Sequence, residues 1–549
     1  MRIEFPGGRP LGGRFPLSPA GPGLSNGDTV RAVGLDSKPM AWHREVSVTE
    51  EAAAPALGVP GRPVSFAWLG NLVWENGPLL IGCACFASAL FVFFGSQVMS
   101  DSWLNVLGGR EIVQHGLPHH DELAIVSHGR PWIDQQWLSN IAFYALYSAG
   151  GMSLAARVNV VLTVLLVGLI FAYGRRQGAT RLSVMLCCIP VFLFALQFLR
   201  AQVLVQPLFV GLVALLAAES RRPSRRVLLA FPVLALWANL HGSVVVAASL
   251  VALLGGIELW RALPERKWSA VARSAGLLLA PWGFIFASPY GLELTKYYGA
   301  TIRSSDLPAF LSEWAPASFS NLGGKLFFLA AAFAIVLIAR RPRALTPFEI
   351  GVLAVTAAGG LHASRSIPWF AFAAGMLLPR LLDEERGTNR ANERGAGSRR
   401  LAVIGVTAAF GLALYGLVHP VNTLATEWPQ RGPALVEQVL RSDPNARVLA
   451  SYDLADWLLL EAPITRGRIA FDGRWEILSH EELRSVRSFL GESTDRWADL
   501  SRGYRLLVLG PKYVPHLIRT WEQRPGVRVL YRTPQIVVLD RGRAADRRP

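Results

Sequence analysis

The feature that most constrains this chain is a succession of apolar blocks, several close to the roughly 20 residues needed to cross a bilayer as a helix. They lie near 77–98, 153–174, 181–199, 202–219, 227–240, 242–261, 270–288, 323–340, 347–363, 366–382 and 401–418. A hydropathy window therefore predicts an all-α polytopic membrane portion with about eleven transmembrane helices. The shorter blocks, such as 227–240, suit a tilted or re-entrant segment. Composition agrees. Of 549 residues, 52% are hydrophobic and only 17% are charged, where a soluble domain carries about 25%. A disordered chain, a collagen-like chain and an ordinary cytosolic enzyme are excluded.

The net charge of +16 is distributed in a telling way. Arginines cluster in the short gaps between apolar blocks: Arg175-Arg176, Arg221-Arg222 with Arg225-Arg226, Arg340-Arg341, and the stretch from Arg386 to Arg400. With residues 1–70 in the cytoplasm and spans alternating, every such cluster falls inside, as the positive-inside rule requires. The charge thus fixes topology, and no nucleic-acid partner is expected. Residues 1–70, rich in Gly, Pro and Arg, suit a disordered cytoplasmic tail without the apolar stretch of a signal peptide. Cys83, Cys85, Cys187 and Cys188 all lie in apolar blocks, so no disulfide framework is expected.

This topology leaves a membrane portion at 71–418, with an external loop at 99–137, and a polar tail at 420–549. In the tail, the runs ARVLAS, RIAFDG, YRLLVLG, VRVLY and QIVVLD read as short strands. Helical stretches at 453–461, 480–489 and 514–522 lie between them. The expected product is a small extracytoplasmic α/β domain. The tripeptide Asp472-Gly473-Arg474 reads as a turn, structural before functional.

The polar residues outside the blocks carry the chemistry. Asp101 sits just beyond the first span, Asp121 and Glu122 midway along the loop, and Asp134 near its end, alternating with Trp103, Trp132 and Trp137. Residues 102–115 and 136–148 look like amphipathic helices on the membrane surface. A carboxylate at such a surface can act as a general base, while the tryptophans alone would be ordinary anchors. Arg200 closes one block, followed by Gln202 and Gln206, and Arg365 lies beside His362 between two others. Arginine at a membrane boundary either snorkels or recognises phosphate. His241, in Trp237-Ala238-Asn239-Leu240-His241-Gly242, Tyr290 in Ser288-Pro289-Tyr290-Gly291, and Glu313-Trp314 complete the external candidates for substrate contact. His119-His120-Asp121 lacks metal-ligand spacing, and neither a phosphate loop nor a nucleophile elbow is present, so neither metal nor cofactor is expected.

The runs from Trp103 to Asp121 and from Gly129 to Leu138, with the later Trp237–Gly242 and Ser288–Gly291, resemble members of the GT-C superfamily of membrane glycosyltransferases. The chain looks closest to the bacterial branch related to protein O-mannosyltransferases and lipid A aminoarabinose transferases, over about 77–382. Asp101 is followed by Ser102 rather than Glu, and no WWDYG-type signature occurs. The resemblance implies a polyprenyl-phosphate-linked sugar donor, transferred at the outer face of the bacterial cytoplasmic membrane to a glycan, lipid or protein acceptor. It implies Asp101 as base or acceptor-orienting group, Asp121 or Glu122 as the second acidic position, and Arg200 or Arg365 on the lipid phosphate. A flippase for a lipid-linked glycan and a non-catalytic scaffold of envelope assembly are the alternatives. The first needs charges at mid-membrane depth, whereas here they gather at one end of the spans.

Overall fold

The computed structural model describes residues 98, 100–195, 199–302, 306–388, 428–489, 500–511 and 514–542. The predicted tail at 1–70, the span at 401–418 and all but the last residue of the span at 77–98 lie outside these, with Cys83 and Cys85. Among the described residues the chain is mainly helical, with one four-stranded sheet near its end.

Four described helices are long and apolar enough to cross a membrane: Trp137–Arg176, Gln202–Arg221, Val244–Ala262 and Leu322–Arg340. Other predicted spans are shorter or broken. The block 181–199 forms two short helices, Arg181–Cys187 and Ile189–Ala195. The block 227–240 becomes a 3-10 turn, Arg225–Leu229, running into the helix Ala230–Leu240. Trp268–Phe284 and Pro347–His362 follow, the latter opened by a capping box between Thr346 and Glu349. Ile367–Arg386 is buried around nearly its whole circumference for most of its length and packs on both Leu322–Arg340 and Trp137–Arg176. Its neighbours are therefore protein on all sides.

The two ends of this bundle differ. At one end the arginine clusters find acids on neighbouring helices. Arg221 pairs with Glu349 at 2.5 Å, Arg273 pairs with Glu258, and Thr180 and Ser183 donate to Asp383. The opposite end carries the helix Ser100–His115 and the sheet.

One expectation about the loop is corrected. Ser100–His115 is not a surface helix: Trp103, Asn105, Val106, Leu107, Glu111 and Ile112 are all buried. It is covered on one side by the first part of Trp137–Arg176 and on another by Tyr452–Glu461. Close approach to the former depends on Gly109, where a Cβ would lie 2.1 Å from the Asn140 carbonyl oxygen. The predicted helix at 136–148 and span at 153–174 are two helical segments, as expected, that meet at a kink where Gly150 and Gly151 leave the helical conformation and Gly151 adopts φ 67°. Glycine alone takes this conformation without strain, so the chain changes direction there.

The sheet has the order β1-β2-β4-β3, with β1 Val448–Ala450, β2 Leu506–Leu509, β3 Arg528–Arg532 and β4 Val537–Asp540. β1 and β2 are parallel, and the other pairings are antiparallel. The stretch RIAFDG is not a ladder strand. Ile469 makes only single bridges, to Val448 and to Ala124. Through them the loop docks on the C-terminal unit: Ile125 N–H donates to Ile469 O at 2.8 Å and Val126 N–H to Ala470 O at 3.0 Å. One apolar core is shared across this junction, with Trp103, Leu107, Leu123 and Phe143 among Val448, Leu458, Leu506 and Val538.

Candidate functional site

Where the bundle meets the C-terminal unit lies a cavity of about 130 Å³. Asp101 enters it from the first turn of Ser100–His115, where the helix N-terminus favours a carboxylate. Arg200 enters two residues before Gln202–Arg221. Its Nε lies 2.8 Å from Asp101 Oδ2, and its Nη1 lies 2.5 Å from Glu313 Oε2. The fork of one guanidinium thus joins two carboxylates that sequence places far apart.

Glu313 is held by the turn before Ile367–Arg386. The N–H of Arg365 donates to Glu313 O at 2.9 Å, and Ser364 N–H donates to Ala315 O at 2.8 Å. The Arg365 guanidinium lies 3.8 Å from Glu313 Oε1 and 4.2 Å from the centre of the Trp314 ring, a cation–π stack. Glu313 therefore faces two cations, which hold its carboxyl below the usual range against the upward push of burial.

His241 caps the helix Ala230–Leu240 and lines the same cavity. Trp237 Nε1–H donates to Ser243 Oγ at 3.1 Å, and that hydroxyl lies 2.8 Å from His241 Nδ1. Ser243 N–H also donates to Nδ1, at 3.1 Å. With Nδ1 accepting, Nε2 carries the proton of the neutral ring. Burial, with Arg365 and Arg200 nearby, pushes the imidazole down to about 3 and keeps it neutral.

Gln202 lines the cavity beside Arg200, and both are mostly shielded from solvent. Asp101, Arg200, Gln202, His241, Glu313 and Arg365 are thus brought together from five separate stretches of sequence. The other candidates lie elsewhere. Asp121 is fully buried, accepting from Leu123 N–H, from Ser127 Oγ at 2.5 Å and from Arg474 Nη2 at 2.6 Å. Its three acceptor contacts describe a strut. Glu122 pairs with Arg466 at 2.6 Å beside a separate cavity of about 170 Å³, lined also by Glu111, His115, His119 and His120. Tyr290 donates to Pro118 O at 3.0 Å, and His362 is exposed at its helix end; neither lines the cavity. Among the described residues no group of three or more His, Cys, Asp or Glu is placed to hold a metal ion, and Cys187 and Cys188 are buried.

Sequence reasoning missed the other walls: Asn105, Gln135, Gln136, Tyr297, Gly473, Trp475 and Glu476. The last three belong to the C-terminal unit, next to the tripeptide read as a turn. That turn is structural and also presents cavity residues. Arg474 is buried, bonded to Asp472 and Asp121 and stacked 4.2 Å from Trp132. Glu476 follows on the 3-10 turn Trp475–Ile477. Burial lifts its carboxyl to about 7.

No protein-family model matches the chain, and no curated protein matches it. Among solved structures it is similar to the arabinofuranosyltransferase AftD from Mycobacteria, with TM-score 0.51 and 14% identity over 88% of this chain and 40% of that one. The chain thus spans well under half the length of that relative. It is also similar to the archaeal oligosaccharyltransferase AglB from Archaeoglobus fulgidus, solved with an inhibitory peptide and a dolichol-phosphate (TM-score 0.47, 10% identity, 86% and 74% covered). ArnT from Cupriavidus metallidurans, solved with undecaprenyl phosphate, gives TM-score 0.42 and 15% identity, with 88% and 100% covered. The likeness to AftD is one of fold.

Proposed function

We propose that the protein is a membrane glycosyltransferase that moves a sugar from a polyprenyl-phosphate-linked donor to an acceptor at the outer face of the bacterial cytoplasmic membrane. The observation that carries this reading is the juxtaposition of Asp101 with Arg200, Glu313 and Arg365 in one cavity. Two guanidinium groups in a shielded pocket suit a phosphate that gains charge as the sugar leaves. Asp101 and Glu313 fix the forks in the meantime, and Asp101 offers its remaining lone pairs to an acceptor hydroxyl. The neutral His241, protonated on Nε2, adds a donor without adding charge.

The arginine clusters lie at the opposite end of the helices, which the positive-inside rule assigns to the cytoplasm. This supports a reading with the cavity and the C-terminal unit outside, where a lipid-linked sugar would be presented. Charges gathered at one end also suit a transferase better than a transport path, which needs them at mid-depth.

The test compares envelope glycans and glycolipids of a deletion strain by mass spectrometry, complemented with wild type, Asp101→Asn or Arg200→Gln. One missing sugar mass, restored by wild type and by neither variant, is the expected result. Full restoration by both variants would remove this cavity from the chemistry. An undecorated lipid-linked precursor accumulating in the cytoplasmic leaflet would instead indicate a flippase.

A further inference from the structure

The cavity has one carboxylate that forms no ion pair with a cation among the described residues. Asp101 and Glu313 both lie against Arg200, whereas Glu476 reaches the same space from the C-terminal unit without an ion-pair partner among the described residues. Its position is built from three sides. Before it, the Gly473 N–H donates to Asp456 Oδ1 at 3.1 Å, and a Cβ on Gly473 would lie 2.5 Å from Asp456 Oδ2. Next, Arg474 is fixed by Asp472 and Asp121 and by the Trp132 ring. After it, Ile477 O accepts from Arg130 Nη1 at 3.0 Å, and Arg130 makes a two-pronged pair with Glu482 at 2.6 Å for each bond. This much scaffolding lies under a half-buried acid that forms no ion pair among the described residues, where an apolar residue would spare the cost of desolvating a charge.

We propose that Glu476 is the group that takes the proton from the acceptor hydroxyl, with Asp101 orienting that hydroxyl; this rests on the glycosyltransferase reading. In the step, the acceptor oxygen forms a bond to the anomeric carbon as the bond from that carbon to the phosphate oxygen breaks. The electron pair of the broken bond goes to the phosphate, between Arg200 and Arg365. The acceptor proton goes to Glu476, so the cavity ends with one more proton on carboxylate and one more negative charge on phosphate. A base works best when its proton affinity matches the working pH. Burial raises Glu476 to about 7, with Asp472 and Asp134 adding to the rise and Arg474 opposing it. Asp101, Arg200, His241, Tyr297, Glu313 and Arg365 share the cavity with it.

The experiment uses the full-length protein in membranes of the deletion strain, with wild type, Glu476→Gln and Glu476→Asp at matched levels. In cells, wild type restores the missing sugar and Glu476→Gln does not. In the isolated membranes, the transfer rate is then followed from pH 5 to 9 with the strain's own lipid-linked donor pool. Wild-type turnover should fall as pH drops below about 7. Glu476→Gln should lower it by about 10²–10⁴-fold and abolish that limb, while Glu476→Asp keeps the limb at reduced rate. A merely structural role would lower the rate without changing the profile. Full activity of Glu476→Gln, or an unchanged pH limb in it, overturns the proposal and leaves the transferase reading intact. A deletion strain that lacks no sugar overturns both.

Discussion

Ser100 donates its hydroxyl hydrogen to Asp456 Oδ2 at 2.6 Å, across 356 positions of sequence. The other oxygen of Asp456 accepts from the N–H of Gly473. One fully buried side chain therefore ties the residue before Asp101 to the turn that presents Glu476. Relative placement of two carboxylates from different parts of the chain is a precise demand, and errors of about 1 Å are costly to catalysis.

Burial and the neighbouring Asp472 hold the Asp456 carboxyl well above the usual carboxylate range. A protonated Asp456 donates to Ser100, which then donates to Tyr452 O at 3.1 Å instead. An amide reproduces that pattern. Asp456→Asn should therefore keep sugar transfer within a few-fold of wild type, whereas Asp456→Leu, which orphans the Gly473 N–H and leaves Ser100 only Tyr452 O, should lose more than tenfold. Complementation of the deletion strain at matched protein level measures both. Loss of activity in Asp456→Asn equal to that in Asp456→Leu would show that the charge is required.

Arg200 tests the geometry of the pair it bridges. Lysine keeps the charge but has no fork, so it cannot meet Asp101 and Glu313 together. Arg200→Lys should lower turnover at saturating donor by about 10²-fold or more, in the range lost with one preorganised donor. Arg365→Lys retains charge near Glu313 but loses the Trp314 stack and should cost less. Rates in isolated membranes rank the two. Equal, small losses would mean that charge alone matters.

Much of this was legible before the structure. The helices Tyr452–Glu461, His480–Phe489 and Pro515–Glu522 and the four strands fall where local pattern puts them, because helix and strand periods are written in neighbouring residues. Asp101, Arg200, His241, Glu313 and Arg365 were visible as polar residues at the ends of apolar blocks. Two things were not visible. The helix Ser100–His115 carries polar residues such as Asn105 and Glu111 that suggest a wet face, but Glu111 is paired with Arg466 of the C-terminal unit and Asn105 accepts from Gln136 at the cavity. The roles of Asp121 and Arg474 depend on each other across 353 positions, and a long-range pair leaves no periodicity behind. Glu476 went unnoticed for the same reason: its exposure is set by where Gly473 and Arg474 dock, not by its neighbours in sequence.

Gly109 separates tight packing from function. A Cβ at this position would stand only 2.1 Å from Asn140 O and 2.6 Å from Tyr144 Cβ, so any side chain forces the two helices apart. Gly109→Ala should destabilise the protein by about 1–3 kcal/mol, the usual cost of overpacking. Gly168→Ala, in an open helical position with nothing within 4 Å, should be neutral or slightly stabilising. Thermal unfolding in detergent distinguishes them, and equal midpoints would show that the interface of Ser100–His115 with Trp137–Arg176 yields easily.

Glu476 should also leave a mark on stability that is independent of turnover. Its carboxyl lies at about 7 in the folded protein and near 4.3 in an unfolded chain. Between these values the folded state holds a proton that the unfolded state has released. Its favourable contribution is therefore complete below about 4.3 and is lost as pH rises through about 7. Above that pH the folded protein must keep a poorly solvated charge. Glu476→Gln removes this penalty, so its unfolding midpoint should exceed that of wild type at pH 8 and converge on it as pH falls toward 5. Melting curves of the two proteins across this range measure the difference. A constant offset at every pH would mean that Glu476 is as well solvated in the fold as outside it, and that its carboxylate is not poised to take a proton near neutrality.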